Sequence, residues 1–227
     1  MNVYSLVVYL FRDECFTSLG KIQSTMSNTN NPTLQKQETG LAMPQLIAPS
    51  PKPRIALDMD EVIADVVPKF LDFFEMEHGR RPEKSEWWGK KIYQLEDAFH
   101  IRERLHEKGF FADLPVMENS QEVVQWLHEH YEVFVVTAAT EFRNSLVDKF
   151  DWLHQHFPFI SWKKFVLCGD KTIISADYMI DDHVYNLEKF KGKGLLYTAS
   201  HNIGETRFTR VDNWLEVRAF FEKELKK

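Results

Sequence analysis

The sequence predicts an α/β fold: a doubly wound parallel sheet core with a small helical cap inserted after the first strand. Three observations predict it. Short apolar runs recur along the chain, and they are continuous rather than alternating, as in strands buried on both faces. Segments of helical period lie between them, the order expected of a parallel sheet covered by helices. Several runs end in Asp or Thr, and such sheets bind ligands at the carboxyl ends of their strands.

The elements follow in chain order. Residues 1–53 read as a tail. From about Thr17 to Pro53 they are rich in Ser, Thr, Asn, Gln and Pro without a sustained period, and Met26 and Met43 are alternative starts. The apolar stretch Val3 to Phe11 is short and lacks the flanks of a signal peptide. The core is expected over residues 54–64 and 116–227, the cap over 65–115.

Strands are expected at Arg54 to Asp58, Glu132 to Thr137, Phe165 to Cys168, Tyr178 to Ile180 and Leu195 to Thr198. Asn119 with Glu122 three residues on reads as a capping box opening a helix through Val123, Val124 and Leu127. Glu141 to His154 carries Phe142, Leu146, Phe150 and Leu153 on a helical stripe, and Trp214 to Leu225 is an amphipathic C-terminal helix. Between Asp65 and Pro115 no strand is expected, only aromatic-rich helical stretches.

Bulk composition narrows the function classes. Of 227 residues, 44% are hydrophobic and 27% charged, which is globular composition. A net charge of -6, with both signs mixed along the chain, argues against polymeric nucleic acid as partner but not against a small anionic substrate. No apolar run reaches the length of a membrane span. Two distant cysteines, Cys15 and Cys168, give neither a disulfide framework nor a thiolate metal site, and a reduced cytoplasmic setting is the default.

The strand-end residues carry the chemistry. Asp58 and Asp60 place one carboxylate to attack an electrophile and another to give and take a proton. Alone, D-x-D is equally a solvated turn. Thr137 offers a hydroxyl to an anionic oxygen, with small Ala138 and Ala139 beside it, although β-branched strand ends are common. Lys171 offers a cation and, taken singly, reads as a surface lysine. Asp181 and Asp182 are a costly pair after a buried run unless they meet a cation, and oxygen ligands in small number suit magnesium; a helix cap is the competing reading. The order and placement of the whole set exceed what its members show singly.

These residues carry a resemblance. The set Asp58 and Asp60, Thr137, Lys171, and Asp181 with Asp182 resembles the four motifs of the haloacid dehalogenase superfamily. The segments D-M-D-E-V-I-A-D, F-F-A-D-L-P-V-M, D-K-T-I-I-S-A-D-Y-M-I-D-D and L-Y-T-A-S-H-N resemble the 5'(3')-deoxyribonucleotidases more closely. The likeness covers most of the chain from Arg54 onward. It implies a Rossmannoid core and a magnesium-dependent phosphatase of nucleoside monophosphates working through an aspartyl-phosphate on Asp58. Asp60 would be acid and then base. Mg2+ would be held by Asp58, the Asp60 backbone oxygen and Asp182, with Asp181 nearby. Thr137 and Lys171 would bind the phosphoryl group. The resemblance also implies pairing of the chain with itself as a homodimer.

The cap departs from the family. Val66 and Leu105 stand where aromatic residues surround the base, which puts the deoxyribonucleotide preference in doubt. Trp87 and Trp88 either replace that surface or form cap core. His128, His130, His154 and His156 read as surface histidines, since residues two apart on a helix do not share a face. Arg80, Arg81, Lys90 and Lys91 either attract phosphate or, as the commoner case, form a solvated face. Asp65 either aids the nucleophile loop or caps the next helix. Three other functions compete: a phosphatase of another small metabolite, a phospho-acceptor signalling module, and a silent binder. The second acid pair after the lysine argues against the module, and the complete motif set argues against the binder.

Overall fold

A computed structural model describes residues 52–227. The expected tail lies outside them except for Lys52 and Pro53, as do Cys15 and both alternative starts.

Six parallel strands form one sheet in the order β3-β2-β1-β4-β5-β6. They are β1 (Arg54–Leu57), β2 (Glu132–Ala138), β3 (Phe165–Cys168), β4 (Tyr178–Asp181), β5 (Lys193–Tyr197) and β6 (Thr209–Val211). The chain enters at the centre, winds outward through β2 and β3, returns beside β1 as β4, and winds out the other way. The reversal falls between β1 and β4, where Leu57 pairs in register with Val135 on one side and Ile180 on the other. A crevice at the carboxyl ends of the strands follows from that reversal.

Successive residues of β1 serve opposite faces. Ile55 and Leu57 join Val133, Val135, Ile180 and Leu195 in the larger core, while Ala56 joins Val136, Met179 and Leu196 in a smaller one. Burial on both faces explains the unbroken apolar runs. The helices α3 (Ser120–His130) and α6 (Trp214–Glu224) cover the larger face. Trp214 is fully buried, and its indole Nε1 donates to the Val62 carbonyl at 2.8 Å, pinning the loop that follows β1.

Residues 65–115 contain no strand. They form α1 (Val67–His78), α2 (Lys84–Trp87) and two 3-10 segments, Ile92–Gln94 and Phe99–His106. The ends of this stretch meet: the Asp65 N–H donates to the Pro115 carbonyl at 2.8 Å, and Ala64 bridges Val116.

Three local expectations differ from the structure. Asn119 makes no side-chain cap; it sits at φ 62°, a left-handed position that Asn tolerates, and α3 starts after it. The helix expected from Glu141 is α4 (Ser145–His156), and its buried face is Ser145, Asp148, Lys149, Trp152 and Leu153, with Phe150 exposed. The edge strand β6 was not expected at all.

Candidate active site

The strand ends converge. Asp58 follows β1 directly, Thr137 lies at the end of β2, Lys171 follows β3, and Asp181 ends β4 with Asp182 next. Asp58, Thr137, Lys171, Asp181 and Asp182 are all buried, so their charges are settled largely among themselves. Asp58, Asp181 and Asp182 each bring a carboxylate oxygen within 4.8 Å of the others.

Lys171 is no surface lysine. Its Nζ lies 2.6 Å from Asp58 Oδ1 and 2.7 Å from Asp181 Oδ2. Burial alone would make this ammonium easier to deprotonate, but Asp58 and Asp181 reverse that and hold it charged. Asp181 is saturated by hydrogen bonds: it also accepts from the His183 N–H at 2.8 Å and from Asn186 Nδ2 at 3.0 Å. Asp182 is different. Its Oδ1 is buried without a partner among the described residues. Burial, then repulsion from Glu61, Asp58 and Asp181, pushes its carboxyl well above the usual range, with Lys91 opposing. A carboxylate placed this way meets the requirement of a cation site, and the all-oxygen donor set with Asp58 suits a hard divalent ion.

Asp60 is tied to the helix behind β2. Lys149, fully buried on α4, donates from Nζ to Asp60 Oδ2 at 2.6 Å and to Thr137 Oγ1 at 2.9 Å. The Thr137 oxygen accepts that bond, which leaves its own O–H free to donate. The same Nζ stands 4.5 Å from the Phe111 ring centroid.

A second group of charges flanks the acids. Glu61 sits at φ 56° in the tight turn after Asp60, and its carboxylate is buried against Lys91 Nζ at 2.5 Å. Burial would raise its pKa, but Lys91 and then His201 overcome this and bring it down to about 2. Lys91 Nζ is also 4.0 Å from Asp182 Oδ2 and 3.3 Å from His183 Nε2. Burial and the Lys91 charge lower the His183 pKa to about 4. Lys91 therefore belongs to the site and not to a solvated face. Its segment is docked by two further bonds, Gly89 N–H to the Ser200 carbonyl at 2.9 Å and Ser200 Oγ to the Lys90 carbonyl at 2.9 Å. Asn202 donates to the carbonyls of Asp182 and Tyr197, both at 2.8 Å, and fixes the backbone beside the acid pair.

Above the strand ends lies a cavity of about 210 Å³. Asp58, Asp60, Lys171 and Asp182 form its floor, and Phe70, Tyr93, Phe111 and Phe142 contribute aromatic surface. Val66 and Leu105 line it as expected. Trp87 and Trp88 do not: Trp87 is core, and Trp88 packs edge-on against it, half out in solvent. Arg102 and Glu141 close one side as an ion pair at 2.5 Å. Asp65 faces the start of α1, its carboxylate accepting from the Val67 N–H at 3.0 Å one residue before the N-cap Val66. The pairs His128/His130 and His154/His156 enter neither cluster of potential metal ligands among the described residues.

Lys149, Glu61 and His201 were missed by sequence reasoning, and Lys91 was weighed but read chiefly as a solvated face. Lys149 sits four residues from Ser145 and three from Trp152, so it lies on a helical stripe with them, but a lysine there reads as solvent-facing. His201 lies in the segment L-Y-T-A-S-H-N, which carried likeness but no assigned role.

The switch point of this parallel sheet gathers an acid pair, a hydroxyl, a lysine and a second acid pair. The sequence model of the family described as 5' nucleotidase, deoxy (pyrimidine), cytosolic type C protein matches residues 52–225, and the chain belongs to that family. The 5'(3')-deoxyribonucleotidase of Bacillus subtilis is 40% identical over 166 residues, covering 72% of this chain and 95% of that protein. A relative from Staphylococcus epidermidis is 42% identical over 170 residues, 74% of this chain and 95% of its own. Among solved structures, the haloacid dehalogenase-type hydrolase YfnB of Bacillus subtilis superposes with a TM-score of 0.48 at 11% identity, covering 76% of this chain and all (100%) of that one.

Proposed function

We propose that this enzyme hydrolyses nucleoside 5'- or 3'-monophosphates through an aspartyl-phosphate on Asp58. The observation that carries the reading is the buried ring of Asp58, Lys171 and Asp182 beneath an aromatic-walled cavity. The names of the relatives point to the same substrate class.

The residues divide the work. Asp58 attacks phosphorus. Lys171 and the free O–H of Thr137 receive the phosphoryl oxygens, and Lys171 offsets charge on the nucleophile. Asp60 protonates the departing sugar oxygen and then takes a proton from the water that cleaves the intermediate. Asp58, the Asp60 backbone oxygen and Asp182 would hold Mg2+, and Asp181 orients Lys171. Magnesium, when bound, neutralises the charge that keeps a carboxylate nucleophile from an anionic ester. The helical segment 65–115 acts as the cap: Phe70, Tyr93 and Phe111 receive the base, and Val66 and Leu105 leave a wider slot than aromatic residues would. The enzyme works on small molecules in the cytoplasm, as a homodimer.

A phosphate-release panel at saturating magnesium tests this. Nucleoside monophosphates should turn over best. Efficient turnover of sugar phosphates with inert nucleotides would overturn the substrate assignment in favour of another small-metabolite phosphatase, and labelling that stops after one event would point to a phospho-acceptor module.

A further inference from the structure

Lys149 is a buried ammonium that the phosphatase reading above leaves without a task. It is fully buried, and its Nζ joins three parts of the site: Asp60 at 2.6 Å, Thr137 at 2.9 Å and the Phe111 ring at 4.5 Å. An isolated ammonium is among the costliest groups to bury, so its place in a core helix needs a return. Salt bridges to surface residues would not require it. The Asp60 side chain keeps 31% of its surface accessible on the cavity side, and its Oδ1 has no partner among the described residues. The Lys149 contact is thus the one side-chain bond fixing the aim of Asp60 among the described residues.

We infer that Lys149 is the positioning residue for proton transfer by Asp60, and that it ties the aim of that carboxyl to the phosphate-binding hydroxyl of Thr137. The inference rests on the phosphatase reading of this site. In the first half-reaction, an Asp58 oxygen bonds to phosphorus, the bond from phosphorus to the leaving oxygen breaks, and the Asp60 proton passes to that oxygen. In the second, water attacks phosphorus and gives a proton to Asp60. The bond from phosphorus to Asp58 then breaks, and orthophosphate leaves. Lys149 takes part in neither bond change. It fixes the Asp60 carboxyl relative to the phosphoryl group, so that the leaving oxygen and later the water meet it in line. Misplacement of such a group by about 1 Å costs on the order of 10²-fold.

Lys149→Met tests the assignment, because its flexible apolar chain keeps the packing on Phe111 and removes the ammonium. Two substrates separate the roles: a nucleoside monophosphate, whose leaving alkoxide needs a proton, and p-nitrophenyl phosphate, whose leaving group does not. In rapid-quench kinetics with magnesium, kcat on the nucleotide should fall by about 10²–10⁴-fold, the range of general acid–base catalysis, with KM nearly unchanged. With p-nitrophenyl phosphate, the variant should release one equivalent of nitrophenol in a burst and then turn over slowly, since the second half-reaction still needs Asp60. Lys149→Gln, which retains an N–H donor, should recover part of the nucleotide rate, and it carries the same comparison if Lys149→Met does not fold. A burst of nitrophenol slowed as much as phosphoryl transfer from the nucleotide, or nucleotide turnover within about threefold of the unsubstituted enzyme, far short of that range, would overturn the inference and leave Lys149 a structural residue. An unsubstituted enzyme inert toward both substrates would overturn the phosphatase reading, and this inference with it.

Discussion

Replacing Lys91 by Met should destabilise the folded enzyme by about 3 kcal/mol. The Glu61 carboxylate is buried, and Lys91 is its nearest cation at 2.5 Å. Against the cost of burial, Lys91 and His201 bring Glu61 from an ordinary 4.5 to about 2. At about 1.4 kcal/mol per pH unit, that difference is worth about 3 kcal/mol at neutral pH. Breaking a buried pair by removing one partner costs about 3–5 kcal/mol by mutation, so the two scales agree. For a fold of this size, about 3 kcal/mol lowers the melting temperature by roughly 6–12 °C. The sign with pH follows from the depressed carboxyl. Its stabilisation is fully present above pH 4.5 and is lost as pH falls toward 2. Melts followed by circular dichroism, without divalent cations, should show the full gap between unsubstituted protein and Lys91→Met at pH 7 and pH 6. The gap should narrow below pH 4.5. The double variant Glu61→Gln/Lys91→Met should melt above Lys91→Met alone, because it no longer buries an unpaired carboxylate. A single variant melting within about 2 °C of the unsubstituted protein, against the shift expected for a fold of this size, would refute the pairing. So would a double variant no better than the single.

Three further outcomes are expected. Asp58→Asn should abolish turnover while the chain still folds, since the amide matches the carboxylate in shape but is a poor nucleophile and Lys171 keeps its pair with Asp181; retained activity would contradict its role. Added magnesium should raise the melting temperature, by about 2.7 kcal/mol of stabilisation at a hundredfold excess over its dissociation constant, and Asp182→Asn should remove most of that gain as read by calorimetry. Tyr93→Ala should raise KM for nucleotides about 2- to 12-fold with little change in kcat, the worth of one lost aromatic contact of about 0.5–1.5 kcal/mol, as read from initial rates.

What the sequence disclosed follows from where each element lies. Strands β1, β2, β4 and β5 place buried residues on both faces, and burial writes apolar runs that can be read directly; β3, half-buried at the other edge, still keeps the run F-V-L-C. The sheet edge does not: Thr209–Val211 is three residues long with exposed Thr209, too short to carry a pattern. The polar residues at strand ends were legible because strand boundaries locate them. Lys149, Glu61 and Lys91 were not, because their roles depend on which face a helix buries and how a loop folds back. The stripe through Leu146 and Phe150 pointed to one face of α4, whereas the buried face carries Ser145 and Asp148, satisfied by the Ala139 carbonyl and the Gly109 N–H, and Lys149, which reaches Asp60. Trp87 and Trp88 left two readings open, since aromatic character marks core as readily as it marks a binding surface, and the structure puts Trp87 in the core.

The central claim is a covalent phosphoryl bond to Asp58. Quenching the enzyme with borohydride during turnover of a nucleoside monophosphate and magnesium would reduce an acyl phosphate to an alcohol, and peptide mass spectrometry would locate it. The account requires homoserine at position 58 in the turnover sample and aspartate there when substrate is withheld. Steady phosphate release with position 58 unreduced, or with reduction at another acid, would contradict it.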